Sequence, residues 1–146
     1  LKMCNEVLHL GLSTNELALV GLQVGADVPF FIYGYTSANV SGIGEVVEEY
    51  KEETLDIEVF TPDVKISTPK VYQIYREDFY APIDGFERER LKKTSSKEIL
   101  KTMNVTQAND LFAPAMQEYK DLKNHYKQGW HFSGSGSSFF RIKEEN

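Results

Sequence analysis

Apolar residues recur at helical spacing over residues 1–10, where Cys4, Val7 and Leu8 share a face and Gly11 stops the pattern. Ser13 and Glu16 then form a serine-x-x-glutamate capping pair. The helix behind it turns Leu17, Val20 and Val24 toward a core, and Gly25 ends it. A short helical turn is predicted over 28–33, closed by Gly34. The period then changes. Residues 36–40 and 45–50 read as strands joined through Ser41-Gly42-Ile43-Gly44, an antiparallel hairpin or two adjacent strands. Residues 55–60 alternate, with Leu55, Ile57 and Val59 opposite Asp56, Glu58 and Phe60, so a further strand is predicted there. Thr61-Pro62-Asp63 ends it.

Pro69 suits the first position of a helix, with Thr68 as its N-cap and residues 71–75 continuing it. Residues 77–93 form a charged, proline-containing connection with little pattern, and 96–103 suggest a short helix. Asn109 or Asp110 can cap a longer one, in which Phe112, Met116, Tyr119, Leu122 and Tyr126 form a single stripe. That stripe belongs to a core or to a helix–helix contact. Residues 130–133 and 138–142 read as strands flanking a glycine-rich turn. A strand, several helices and two further strands suggest an α+β sandwich. A boundary at 51–54 divides the chain into 1–54 and 55–146.

Composition narrows the function. With 41% hydrophobic and 12% aromatic residues the chain can fill a core. Its net charge of −6, without a lysine or arginine cluster, argues against a nucleic-acid surface and against an anionic membrane. A nucleotide site is still allowed, because backbone amides and single cations bind phosphate. No apolar run approaches the roughly 20 residues of a membrane span. The acid-rich stretch 48–53 reads as a solvated strand end or loop. Cys4 is the one cysteine, so no intrachain disulfide forms, which fits a reducing cytoplasm. Its apolar neighbours predict a buried structural thiol. His9, His125 and His131 lack metal-ligand spacing, and no structural metal is assigned.

Two segments carry candidate chemistry. In Gly25-Ala26-Asp27-Val28-Pro29-Phe30-Phe31, Pro29 disfavours helical geometry at Val28, so the chain resets close to Asp27. An acid there, beside apolar side chains, is either a partly desolvated carboxylate with a chemical task or a cap for the next helical turn. In Gly134-Ser135-Gly136-Ser137-Ser138, the glycines let backbone amides converge on an anion. A plain hairpin turn is the other reading. It runs strand to strand, unlike the strand-to-helix turn of a serine hydrolase. Gly42-Ile43-Gly44-Glu45 reads as a turn or bulge, mainly structural.

The order and spacing of these segments, with Ser67-Thr68-Pro69 and Asn109-Asp110-Leu111 between them, resemble the later part of the GHMP superfamily of small-molecule kinases. The resemblance runs from about residue 10 to 140 and is weak over 75–96. It implies a ferredoxin-like C-terminal domain from near Leu55, preceded by the end of the N-terminal domain. It also implies that Asp27 is the catalytic acid, that Thr68 lines a substrate pocket, and that Gly134, Ser135, Gly136 and Ser137 help to close the active site against the ATP loop. The family more often has threonine, alanine and cysteine where Ser135, Ser137 and Ser138 stand. ATP with Mg²⁺ is the implied cofactor, and a small molecule the implied substrate. The motif wording favours members that phosphorylate a cytidyl-diphosphate-linked polyol in isoprenoid precursor synthesis. Homoserine or mevalonate types, or a non-catalytic binding module, are the alternatives. These kinases begin with a catalytic lysine and a phosphate-wrapping loop. The chain therefore reads as roughly the second half of an enzyme, with the missing N-terminal part as its partner and little activity alone. The aromatic stripe, facing a core or a partner, leaves a homodimer open.

Overall fold

The computed structural model describes residues 1–143. The chain divides into two compact units, Leu1–Thr54 and Leu55–Asn146, and mixes helices with two small antiparallel sheets. It is an α+β protein.

The first unit begins with α1 (Lys2–Val7) and α2 (Thr14–Leu22). The capping box forms as the sequence predicts: the Glu16 N–H donates to Ser13 Oγ at 3.3 Å, and Glu16 Oε2 accepts the Ser13 N–H at 2.8 Å. The Ser13 hydroxyl, which donates to Glu16 Oε2 at 2.7 Å, and then the Ser13 N–H hold the Glu16 carboxyl below its usual range. The inward face of α2 differs from the prediction. Leu17, Ala18 and Gly21 are buried, whereas Val20 and Val24 are exposed. The cause is α3 (Val28–Tyr33), which lies so close to α2 that a Cβ at Gly21 would sit 2.7 Å from Val28 Cγ1. Gly25 also lies beyond the helix end, at which Gln23 is the cap. Cys4 is exposed rather than buried. What ties down α1 is Asn5, whose amide donates to the Leu12 carbonyl at 2.9 Å and accepts the Leu12 N–H at 3.0 Å. As predicted, Gly34 closes α3 in a left-handed conformation. The hairpin β1 (Ala38–Ser41) and β2 (Val46–Glu49) follows, paired antiparallel with Val40 opposite Val47.

The second unit holds a three-stranded antiparallel sheet in the order β3-β5-β4, formed by β3 (Ile57–Phe60), β4 (His131–Phe132) and β5 (Phe139–Ile142). Strand, helices, strand, strand is the βαββ part of a ferredoxin-like pattern. Helices α4 (Thr68–Ile74), α5 (Gly85–Lys93), α6 (Ser96–Thr102), α7 (Val105–Ala108) and α8 (Phe112–Glu118) lie between β3 and β4 in sequence. The core gathers Val71, Phe112, Ala115, Leu122, Trp130, Phe132 and Phe139. Phe132 and Phe139 face each other across β4 and β5, with ring centroids 5.1 Å apart.

The strand predicted over 55–60 forms as β3, with Ile57 and Val59 exposed while the core collects on β4 and β5. Two expectations change here. Residues 85–93, read as irregular, are helical. Asp84 accepts the Glu87 N–H at 2.9 Å, and Arg90 grips the Glu87 carboxylate one turn on at 2.6 Å. That helix buries nothing, so apolar periodicity had no signal to give. The aromatic stripe is core, as one reading held, but not one helix. The backbone bends at Tyr119 into a 3₁₀ segment, Lys120–Asn124. The bend lets the Tyr119 hydroxyl accept the Ser67 N–H at 2.9 Å while Leu122 stays fully buried.

Replacing Phe139 by Ala is expected to cost about 3–5 kcal/mol in urea unfolding, as for a filled core site. Phe86→Ala, on the exposed face of α5, should stay within about 0.5 kcal/mol.

Candidate functional site

Two loci carry the candidate residues, one in each unit. In the first, Asp27 occupies the N-cap position of α3 with φ −83° and ψ −16°. The cap reading of its carboxylate does not hold, because the side chain makes no capping hydrogen bond, and the residue is exposed rather than partly desolvated. Its backbone sits in the helical region, where the side chain does not reach back to the N–H groups of the first turn. Among the described residues the carboxylate has no polar partner. Its backbone is nevertheless well held. Pro29 presets the first turn and is buried, and the Val28 N–H donates to the Gly25 carbonyl at 3.1 Å. Asp27 is thus a free acceptor on a fixed stem.

In the second unit the glycine-serine turn is tied down at several points. Thr68 Oγ1 and Ser135 Oγ share a hydrogen bond of 2.7 Å, so two predicted site residues meet. The Ser137 hydroxyl donates to the Pro62 carbonyl at 3.1 Å, and Ser138 Oγ lies 2.8 Å from Thr61 Oγ1. Gly136, at φ +94°, has no room for a side chain, since a Cβ there would overlap the Phe132 ring and come within 2.8 Å of Ile66 Cδ1. Its N–H closes the turn on the Ser133 carbonyl at 2.9 Å. The N–H groups of Gly134, Ser135 and Ser137 have no hydrogen-bond partner among the described residues. They are donors available to an anion.

Thr68 is not the N-cap. Ser67 takes that position and Thr68 is the first helical residue. This shift by one frees the Thr68 hydroxyl to reach Ser135. Asn109 does not cap α8 either, since Leu111 stands there. Instead its amide nitrogen donates to the Phe132 carbonyl at 2.8 Å and to the Gly134 carbonyl at 2.9 Å. Its Oδ1 accepts the Leu111 N–H at 2.8 Å. One side chain therefore clamps the turn to the start of α8. Residue type was the available signal: an asparagine offers two donors and an acceptor, where aspartate offers acceptors alone. Beside it, the Tyr75 hydroxyl donates to Asp110 Oδ2 at 3.4 Å. Burial and then the Asp110 charge raise the Tyr75 hydroxyl above its ordinary range.

No group of three His, Cys, Asp or Glu side chains among the described residues is placed to hold a metal ion. No helix there is long and apolar enough to cross a membrane.

Asn109→Asp removes both donors to the turn. A loss of about 1–3 kcal/mol in chemical unfolding is expected, together with faster amide exchange at Gly136. Asp110→Asn should move the Tyr75 titration, followed by ultraviolet absorbance, to lower pH. Burial, the larger cause, should keep it above that of a free tyrosine.

No family model matches the chain. Among curated proteins it is 78% identical over 145 residues to 4-diphosphocytidyl-2-C-methyl-D-erythritol kinase of Sulfurimonas denitrificans, covering 99% of this chain and 54% of that protein. The kinase of the same name from Sulfurovum sp. is 40% identical, over 99% of this chain and 57% of its own length. That from Helicobacter pylori is 42% identical, over 95% and 52%. The chain spans about half the length of the curated relatives it matches. Among solved structures, the crystal structure of 4-(cytidine 5'-diphospho)-2C-methyl-D-erythritol kinase superposes with a TM-score of 0.62 at 26% identity, over 97% of this chain and 52% of that one. Motif order, sequence identity and fold agree: over almost its whole length the chain is similar to the C-terminal half of 4-diphosphocytidyl-2-C-methyl-D-erythritol kinase, in line with the resemblance to the GHMP superfamily.

Proposed function

We propose that this chain carries about half of an ATP-dependent kinase that phosphorylates the 2-hydroxyl of 4-diphosphocytidyl-2-C-methyl-D-erythritol, for isoprenoid precursor synthesis in the cytoplasm. The single observation that carries the catalytic part is the Asp27 carboxylate, exposed and without a polar partner at a rigid helix start. The names of the relatives support the substrate. Residues 1–54 complete an N-terminal domain and 55–146 belong to a C-terminal one. The partner is the preceding part of the same enzyme, with its phosphate loop and lysine.

Phosphoryl transfer to an alcohol needs the hydroxyl aligned and its proton removed. Asp27 does both. One carboxylate oxygen accepts a hydrogen bond from the acceptor hydroxyl and fixes its direction, then takes the proton as the new O–P bond forms. Bound ATP supplies the phosphoryl group. In the second unit, the unpartnered N–H groups of Gly134, Ser135 and Ser137 fit a phosphate oxygen of nucleotide or substrate, and Thr68, hydrogen-bonded to Ser135, stands beside them. Mg²⁺ accompanies the nucleotide.

ADP release from Mg-ATP by the full-length enzyme tests this. Turnover is expected with the cytidyl acceptor and not with homoserine or mevalonate. Asp27→Asn should lose about 10²–10⁴-fold in kcat. Turnover with another acceptor would move the substrate and keep the role of Asp27. Silence with all three would leave a binding module.

A further inference from the structure

A second element of the first unit reaches the candidate acid from behind. The turn between β1 and β2 is closed by the Gly44 N–H on the Ser41 carbonyl at 3.3 Å. The Glu45 carboxylate accepts the Ile43 N–H at 2.6 Å, which stiffens the turn from inside. Gly44 is buried, at φ +109°. A Cβ built on it would overlap the Ala26 carbonyl oxygen, and would lie 2.8 Å from the Ala26 carbonyl carbon and 3.0 Å from its Cα. Here backbone rests on backbone. The Ala26 carbonyl belongs to the peptide plane that also contains the Asp27 nitrogen. Whatever moves that plane moves the stem of the carboxylate. Neither atom group is the end of a flexible side chain, so nothing there can swing aside.

We propose that Gly44 is a positioning residue for Asp27: the hairpin turn, resting backbone on backbone at Gly44, sets the Ala26–Asp27 peptide and with it the place of the carboxylate. This rests on the proposed catalytic role of Asp27. Gly44 touches neither substrate nor nucleotide in this account and acts only through the peptide. A displacement of about 1 Å at a reacting group is worth on the order of 100-fold in rate.

Gly42 supplies the control. It lies in the same turn at φ +71°, so a side chain there strains the hairpin in the same manner. Its Cβ, however, would meet only the Glu45 carboxylate, the movable end of a side chain. Both Gly44→Ala and Gly42→Ala should therefore lower the unfolding midpoint, Gly44→Ala the more, and they should differ in catalysis.

In the full-length enzyme, Gly44→Ala is expected to lose about 10–100-fold in kcat with both KM values within about threefold of the parent. Gly42→Ala should keep kcat within about threefold. The Asp27 amide resonance should shift in Gly44→Ala and stay in Gly42→Ala. In an Asp27→Asn background, Gly44→Ala should add no further loss, because it acts through the missing group. Full activity of Gly44→Ala beside an inactive Asp27→Asn overturns the positioning role and spares the catalytic one. An equal kcat loss in Gly42→Ala overturns it too, since hairpin integrity would then be what matters. An active Asp27→Asn variant removes the catalytic role itself, and the route assigned to Gly44 with it.

Discussion

At Gly44 and at Gly136 the chain leaves no room for a Cβ atom, and the placement of both candidate loci depends on that exclusion. In one, a hairpin turn rests on the Ala26 carbonyl, next to Asp27. In the other, a serine-rich turn rests on the Phe132 ring. Contacts this short are available only where a side chain is missing. At Gly44 both sides of the contact are backbone, so neither can relax by changing rotamer.

The two loci are stabilised by different means. The Asp27 turn has almost no hydrogen bonds from its own side chain, and is held by the packing of α3 on α2 through Gly21, Val28 and Ile32. The glycine-serine turn is held by polar bonds: Asn109 from one side, Thr68 and Pro62 from others. Behind them lies the aromatic group Phe112, Phe132 and Phe139, whose packing fixes where β4 and β5 run. Side-chain oxygens are consumed in anchoring, and the N–H groups of Gly134, Ser135 and Ser137 are left without a partner among the described residues. That division suits a surface that receives an anion, since amides cost no reorganisation when charge arrives.

Helices with a cap or an apolar stripe were legible from residue pattern: the Ser13–Glu16 box, the closure at Gly34, and the strands around the serine turn. Helix α5 was not, because its Asp84 cap and its Glu87–Arg90 ion pair carry no apolar period and none of its residues is buried. The exposed Ile57 and Val59 show the converse. Alternation marks a strand, but whether its apolar face is covered depends on neighbours that the alternation does not name.

By itself the sequence determined the α+β class, the turn at Asp27 and the two glycine-bearing turns. These follow from local rules: period, caps and the backbone freedom of glycine. The order of the motifs added the resemblance to the GHMP superfamily. Only the tertiary structure decided that Thr68 meets Ser135, that Asn109 clamps Phe132 and Gly134, and that Gly44 lies on Ala26. Each of these joins residues at least 18 positions apart, and no local pattern encodes which of many distant groups will be neighbours. Packing selects them, because a buried turn must find partners for its polar atoms and space for its backbone at the same time.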